Sequence, residues 1–533
     1  VPTITKEKKQ SEKPAKKGAP LKALSVKEIV ICALSGAVLG LAAPGINLWP
    51  IAWFGLAPLL LLIVSSKSGF TATARGFIFG TCFNLVYLNW YLGLQPLDWL
   101  GFNWWQGWLM ACAAWLIVSM HQGILISLFA LASYLIPVCE SYLPRKISGV
   151  WRIPAFVLFP GLWVLILNKL GNAPSMLGVP WSMLEYTQYQ QTQVIQVASI
   201  IGGIGVGFLI VLANVSVANL VATLHKKSTF KLLASDRPRT ALIQLGITAL
   251  ILVGAYVAGA WDSSRASVEA TRRAAVLQGN INIEMQKTRK RWNPLDLFHH
   301  YQRLLTGARP GLIVYTESAM PVFFREHDDI VNSMGAQARS LKSDMVVGSM
   351  DRLSADSPYN SAFGITSDGK LLNTVYHKRY LVPFGEYPPA FIEYLPDWIR
   401  VLTNTPAGGG FAAGQDPAVL NLKGGKVAPL ICFECISPEL VASSTRHGGE
   451  LLVNLSDLAW FHDSSIGEQM LAFSVFRAVE NRRFFVFAAN TGPSAIINPR
   501  GEICQRSGLG QDLLLEGSIG FISDMSIFSR WYR

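Results

Sequence analysis

A chain of 533 residues has room for several domains, yet apolar residues make up 51% of it and charged ones only 15%, well under the roughly 25% charged content of an average globular protein. That balance excludes an ordinary soluble fold for the whole chain and points to a multi-span membrane protein. The net charge of +12 raises the question of a nucleic-acid partner, but much of it lies in the N-terminal KEKKQSEKPAKKGAPLK and in loops between apolar runs, where anionic headgroups and membrane topology account for it better.

In chain order, residues 1–25 read as a basic, disordered cytoplasmic tail. Seven apolar segments follow, near 26–44, 48–66, 74–95, 105–136, 153–168, 195–224 and 240–260, each long enough to cross a hydrocarbon core about 30 Å thick. No charge falls in the middle of them, where each costs roughly 2.5–3.5 kcal/mol. The fourth and sixth exceed one crossing, so they are expected to tilt or project. Positive residues crowd alternate connections: the tail, then Lys67 and Arg75, then Arg145, Lys146 and Arg152, then Lys226, Lys227, Lys231, Arg237 and Arg239. By the positive-inside rule the N-terminus is cytoplasmic and everything after about residue 262 is outside. No cleaved signal peptide is expected. The aromatics of LQPLDWLGFNWW and MLGVPWSMLEY read either as an interfacial belt or as a lipid-gripping arm below a site.

From about residue 272 the pattern changes to short strand-like runs, RRAAVLQGN, GLIVYTE, DMVVGS, SAFGIT, VAPLIC, ELLVNL and FFVFAAN, with helix candidates at 293–306, 327–342 and 466–482. This predicts an α/β domain over 272–521, followed by a segment at 522–533.

Two chemical candidates in that domain sit where strands end: Glu317 after Leu312 to Thr316, and Cys432 after Val427 to Ile431. Both are expected to project from carboxyl ends of strands into one crevice. Lys378 precedes a Pro-Phe-Gly turn that fixes its reach. A thiol with an ordinary pKa of about 8.5 is only slightly ionised near neutrality, so a base beside it makes attack on an ester feasible. Glu317 is placed to take the proton, and Lys378 with the backbone N–H after Cys432 to hold an oxyanion. Taken singly, each residue has an ordinary reading as a surface carboxylate, a loop cation or a small buried apolar group; their combination carries the argument.

Cys435 makes a CxxC with Cys432, the spacing of a disulfide oxidoreductase, and that alternative stays open beside a reading of Cys435 as a buried neighbour. The other cysteines form no disulfide framework, the eight histidines show no zinc spacing, and Gly203, Gly205 and Gly207 fit close helix packing better than a dinucleotide loop. The glycines at 408–410 read as a hinge or a flexible loop.

With TESAMP around Glu317, YHKRYLVPFGEYPP around Lys378 and ICFE around Cys432, the domain resembles the carbon–nitrogen hydrolase (nitrilase) superfamily. A membrane half of about seven spans over 26–262 before such a domain resembles, more narrowly, the bacterial apolipoprotein N-acyltransferase family. LQGNI, YNS, AWF, FRAVENRR and NPRGEI are smaller matches. The resemblance implies an α-β-β-α sandwich and a two-step transfer. Cys432 takes an acyl chain from a phospholipid as a thioester and passes it to the α-amine of a diacylglyceryl-modified N-terminal cysteine on a lipoprotein. It further implies Glu317 as base and acid, Lys378 as oxyanion stabiliser, Glu386 as the carboxylate that orients Lys378, and Glu434 as a support, with no metal, no soluble cofactor and no nucleic acid. The expected location is the bacterial inner membrane, multi-pass, with the catalytic domain on the periplasmic side. Apolar lids near 322–324, 387–402 and 458–461 would keep water from the thioester. Most members of the family end with a further span, whereas this sequence stops at IFSRWYR soon after the domain, as either a truncated sequence or a natural seven-span variant would, with 522–533 expected to lead toward the membrane. A membrane-tethered amidase that gives the acyl group to water, and a catalytically silent scaffold, remain as alternatives.

Overall fold

The computed structural model describes residues 24–98, 101–139, 145–147, 150–171, 181–225, 238–265, 269–282, 293–308, 310–354, 357–383, 385–387 and 410–532. Residues 1–23 of the tail expected over 1–25, the connection 226–237, residues 388–402 of the lid expected over 387–402 and the first two glycines of 408–410 lie outside the described residues.

The first half is helical: α1 (Val26–Gly40), α2 (Ala57–Val64), α3 (Gly69–Tyr87), α4 (Trp104–Leu135), α5 (Ala155–Trp163), α6 (Gly203–His225) and α7 (Pro238–Arg265). Each of the seven apolar segments overlaps one of them. By length and composition, Trp104–Leu135, Gly203–His225 and Pro238–Trp261 are able to cross a bilayer, and Trp49–Val64 and Ala155–Leu170 are shorter apolar helices. Ser25 and Glu28 close a capping box at the start of α1, and Arg75 of α3 pairs with Glu28. Helix α2 has no side-chain cap of its own. Asn214 of α6 supplies one from outside, its Oδ1 accepting from the Leu56 and Ala57 N–H at 2.8 and 3.0 Å.

The sixth segment departs from the single long crossing expected for it. It breaks at Gly202, whose φ of +76° ends a short helical turn, and α6 starts afresh at Gly203. Only glycine adopts such a backbone cheaply. The Gly203 N–H then donates to Glu480 Oε1 of the second half at 2.8 Å. The small residues expected to allow close packing do so, since a Cβ at Gly203 would meet Phe476 and one at Gly207 would meet Glu185.

The second half carries thirteen strands among the described residues. In one sheet lie β1 (Arg272–Gln278), β2 (Leu312–Val314), β3 (Met320–Phe323), β4 (Asp344–Arg352), β5 (Pro358–Ile365), β6 (Leu371–His377) and a late return strand; in the other, β7 (Leu420–Leu422), β8 (Gly425–Ile431), β9 (Leu451–Ser456), β10 (Phe485–Ala489), β11 (Ala495–Ile497) and β12 (Ile503–Arg506). The return strand is β13 (Leu513–Ile519), and the first sheet runs β13-β1-β2-β4-β5-β6 with β3 beside β4. The second runs β7 to β12 in order, parallel from β8 to β10. Helices α8 (Pro294–Leu304) and α9 (Asp328–Leu341) cover the first sheet, α10 (Pro438–Arg446) and α11 (Ile466–Asn481) the second, and α12 (Ile527–Trp531) closes the described chain.

Side-chain alternation builds these layers. Val314, Val346, Val427 and Val453 face the space between the sheets, and Leu451 and Leu455 pack in the same layer. Ile313, Met345 and Val347, one position along each strand, face α8 and α9 on the outside of the first sheet. Ala428, Leu430 and Leu452 face α10 and α11 on the outside of the second, in one apolar core that runs on into the membrane half. The order α-β-β-α is the sandwich expected from the sequence, with its second helix layer seated directly on the membrane half.

Candidate active site

Strand β8 ends at Ile431, and Cys432 follows with φ +53°, a left-handed backbone that costs a non-glycine residue roughly 1–2 kcal/mol. Two side chains hold it there. Glu434 Oε2 accepts from the Ile431 N–H at 2.7 Å, and Asn454 Nδ2 donates to the Cys432 carbonyl at 3.1 Å. The result is a thiol raised out of the strand end into the space between the sheets, buried and 5% exposed.

Glu317 reaches the same space from beyond the end of β2. The residue after it, Ser318, has φ +50°, and this turn lies flat on β4 because position 348 is glycine: a Cβ there would stand 2.2 Å from the Thr316 carbonyl oxygen. Glu317 Oε1 accepts from Asn360 Nδ2 at 2.8 Å and from Lys378 Nζ at 3.2 Å, and Oε2 accepts from the Asp457 N–H at 2.8 Å. The same carboxylate acts on the Cys432 thiol and helps to hold it protonated.

Lys378 follows β6, and its ammonium also donates to Glu386 Oε1 at 2.9 Å. Glu386 closes its own turn by accepting the Val382 N–H on Oε2 at 2.9 Å, which holds the carboxylate in place. Burial acts to lower the Lys378 pKa, but the Glu317 and Glu386 carboxylates outweigh it and hold it above lysine's ordinary value. Burial, reinforced by Glu317, pushes the Cys432 thiol well above its ordinary value against the pull of Lys378. The resting pair is therefore a neutral thiol beside a carboxylate, and proton transfer has to accompany attack.

All five residues singled out in the sequence meet here, Glu434 in a different capacity from the rest. Its Oε1 accepts from the Arg379 and Tyr380 N–H groups at 2.6 and 3.1 Å, and Tyr376 OH donates to Oε2 at 2.8 Å. Glu434 thus ties the cysteine turn to the lysine turn. Asn360 was missed as a candidate. It bridges Glu317 and Glu386, 43 and 26 positions away, and only the local YNS match marked it.

The CxxC pair does not behave as one unit. Both cysteines are free; Cys432 belongs to the core between the sheets and Cys435 to the core on the helix side. Aromatics from the first half stand beside the Cys432 turn: Trp181 lies 5.1 Å from Phe433 between ring centroids, and Trp90 lies 4.8 Å from Trp181 and 5.1 Å from Phe461. No group of three or more metal-ligating side chains occurs among the described residues.

Residues 273–519 match the carbon-nitrogen hydrolase family model, and residues 35–216 match the model of the apolipoprotein N-acyltransferase N-terminal domain. An apolipoprotein N-acyltransferase of Geobacter metallireducens is 31% identical over 523 residues, covering 96% of this chain and 92% of that protein. One from Gloeobacter violaceus is 25% identical over 520 residues, covering 95% and 91%. Among solved structures, an amidase from Nesterenkonia sp. aligns at 17% identity with a TM-score of 0.36, covering 50% of this chain and 96% of the amidase.

Proposed function

The chain belongs to the apolipoprotein N-acyltransferase family, and from that premise we propose that it moves an acyl chain from a phospholipid, through a thioester on Cys432, to the α-amine of a diacylglyceryl-modified N-terminal cysteine. The observation that carries this reading is the Lys378 ammonium held between Glu317 and Glu386, with the buried Cys432 thiol turned into the same space between the sheets.

In the first half-reaction Sγ attacks the ester carbonyl while Glu317 takes the thiol proton. Two of the three Lys378 N–H donors are spent on the carboxylates, and the third, with the Phe433 N–H, takes the oxyanion. Collapse breaks the ester C–O bond, and Glu317 returns its proton to the departing lysophospholipid. In the second, the amine attacks the thioester, Glu317 accepts the amine proton, and the C–S bond breaks as the sulfur regains a proton. Glu386 and Asn360 keep Glu317 and Lys378 in register, and Glu434 positions both turns.

The membrane half, over 26–262, carries both substrates' anchors past this site, with the domain on the periplasmic side of the inner membrane. Holding two bilayer-bound reactants beside one crevice replaces a diffusional encounter with a local one. Transfer in place of hydrolysis requires that water be kept from the thioester, and the aromatic seam of Trp90, Trp181, Phe433 and Phe461 supports that reading.

The test is to incubate the purified protein in detergent with a phospholipid carrying an alkyne-tagged acyl chain, then to look for protein-bound label removed by neutral hydroxylamine. Label is expected on wild type and Cys435→Ser and absent from Cys432→Ala; a synthetic diacylglyceryl-cysteine peptide should then remove it as amide-linked product. Label that is released only as free fatty acid would favour the amidase alternative.

A further inference from the structure

Side chains alternate along β8, so Leu430 lies on the α10 and α11 side of the second sheet and Ile431 on the side that faces the first sheet. Continued alternation would send Cys432 back to the helix side. Instead Cys432 shares the core between the sheets with Ile431, two successive residues on one face, and the left-handed φ of +53° at Cys432 is the turn that brings this about. Whatever holds that turn also decides where the next peptide group points.

Asn454 acts on that peptide group from the other side of the sheet. In the parallel pairing of β8 with β9 it stands opposite Leu430, and its neighbours along β9 divide in the same way, Leu452 on the helix side and Val453 and Leu455 between the sheets. Its amide therefore lies on the helix side, and from there Nδ2 donates to the Cys432 carbonyl at 3.1 Å. The Cys432–Phe433 peptide bond is trans, and a planar trans peptide directs its C=O and N–H in opposite senses. With the carbonyl drawn toward the helices, the Phe433 N–H is turned toward the space between the sheets, where Lys378 and Glu317 meet. Phe433 stands in the first turn of the short 3₁₀ helix Cys432–Ile436, where an N–H has no acceptor within the helix.

Stability does not ask for an asparagine at this position. Asn454 is fully buried, and its Oδ1 has no hydrogen-bond partner among the described residues. An amide oxygen buried unpaired carries a desolvation cost, which a leucine of the same branched shape would avoid. What the asparagine supplies is its bond to the Cys432 carbonyl.

We propose that Asn454 is a positioning residue for thioester formation: by holding the Cys432 carbonyl toward the helices it aims the Phe433 N–H at the oxyanion of the ester under attack. This rests on the acyltransferase reading above and adds to it the group that sets the direction of one oxyanion donor.

The experiment uses the full chain in detergent, as wild type, Asn454→Ala and Asn454→Leu. Two rates are read: thioester formation from the alkyne-tagged phospholipid, and alkylation by iodoacetamide, followed on the Cys432 peptide by mass spectrometry. Alkylation uses the same thiol and displaces iodide without forming an oxyanion. The expected result is a fall of about a hundredfold in the maximal rate of thioester formation in both variants, as loss of an oxyanion donor produces, with the phospholipid KM unchanged and alkylation within about twofold of wild type. An unchanged maximal rate, or a change confined to KM, overturns the proposal. Alkylation that falls in step with thioester formation overturns it too, because Asn454 would then hold the thiol and not the N–H. So does a rate lost in Asn454→Ala and restored in Asn454→Leu, the mark of a packing role. Wild-type protein that is alkylated at Cys432 yet forms no thioester removes the acyltransferase reading itself, a result separable from the others.

Discussion

Helices α9 and α11 occupy equivalent layers of the sandwich, each packed on the outside of one sheet, yet they are buried to different extents. In α9 the buried residues are Ile330, Met334, Gly335 and Ala338, one stripe at helical spacing, and the opposite face meets solvent. In α11 every residue from Ile466 to Asn481 is buried except Glu468. The side facing away from the sheet is met by the membrane half: Gln469 Nε2 donates to the Tyr87 carbonyl at 2.7 Å, and Arg477 Nη2 donates to Tyr186 OH at 3.1 Å. Glu480 pairs with Arg477 at 3.0 Å while accepting the Gly203 N–H. Polar residues on an amphipathic helix are therefore a poor guide to exposure when another part of the same chain supplies their partners.

The largest effect that tests this difference is expected from arginine truncation in the two layers. Arg477→Ala leaves Glu480 buried without its cation and should cost about 3–5 kcal/mol, read as thermal unfolding of the detergent-solubilised protein. Arg339→Ala, on the exposed side of α9, should stay within about 0.5 kcal/mol. Similar losses for both would mean that the membrane half does not cover α11 as described.

A smaller effect is expected at the joint between the cysteine and lysine turns. Glu434→Gln replaces a carboxylate that faces four donors by an amide whose NH₂ must confront some of them. A loss of about 1–3 kcal/mol corresponds to a roughly tenfold to hundredfold fall in the rate of thioester formation. An unchanged rate would show that the cysteine and lysine turns hold their places without it.

The smallest effect concerns Cys435, on the side covered by α11. Burial pushes its thiol from 9.0 up to about 12. A raised folded value means stability that is fully present below about pH 9 and is lost as pH rises toward the folded pKa, because the unfolded thiol ionises first. At pH 10 the loss is about 1.4 kcal/mol, and Cys435→Ala should flatten the alkaline limb of the stability curve by that amount. An identical limb in the variant would show that the thiol is not buried there.

The sequence was most legible where one local cause acts alone. The helices expected at 293–306, 327–342 and 466–482 are found at Pro294–Leu304, Asp328–Leu341 and Ile466–Asn481, and the runs VAPLIC and ELLVNL became β8 and β9. The strands β3, β6, β7 and β11 to β13 were not anticipated, because they are short or lie at sheet edges where alternation is weak. The break at Gly202 was hidden inside a continuous apolar run, since hydropathy carries no information on φ. Asn360 went unrecognised for a similar reason: an asparagine in a strand acquires its role only when two distant carboxylates arrive beside it.

Composition and periodicity by themselves determined that this chain has an apolar helical half and an α/β half, and its motifs singled out Glu317, Lys378, Glu386, Cys432 and Glu434. Those properties depend on residue type and near neighbours, which a linear sequence displays directly. The left-handed turn at Cys432, the Asn360 bridge, the separation of Cys435 from Cys432 and the burial of α11 were decided only by tertiary structure. Each depends on which distant surface a side chain meets, and hydrogen bonding, desolvation and charge pairing act through space, whatever the separation along the chain.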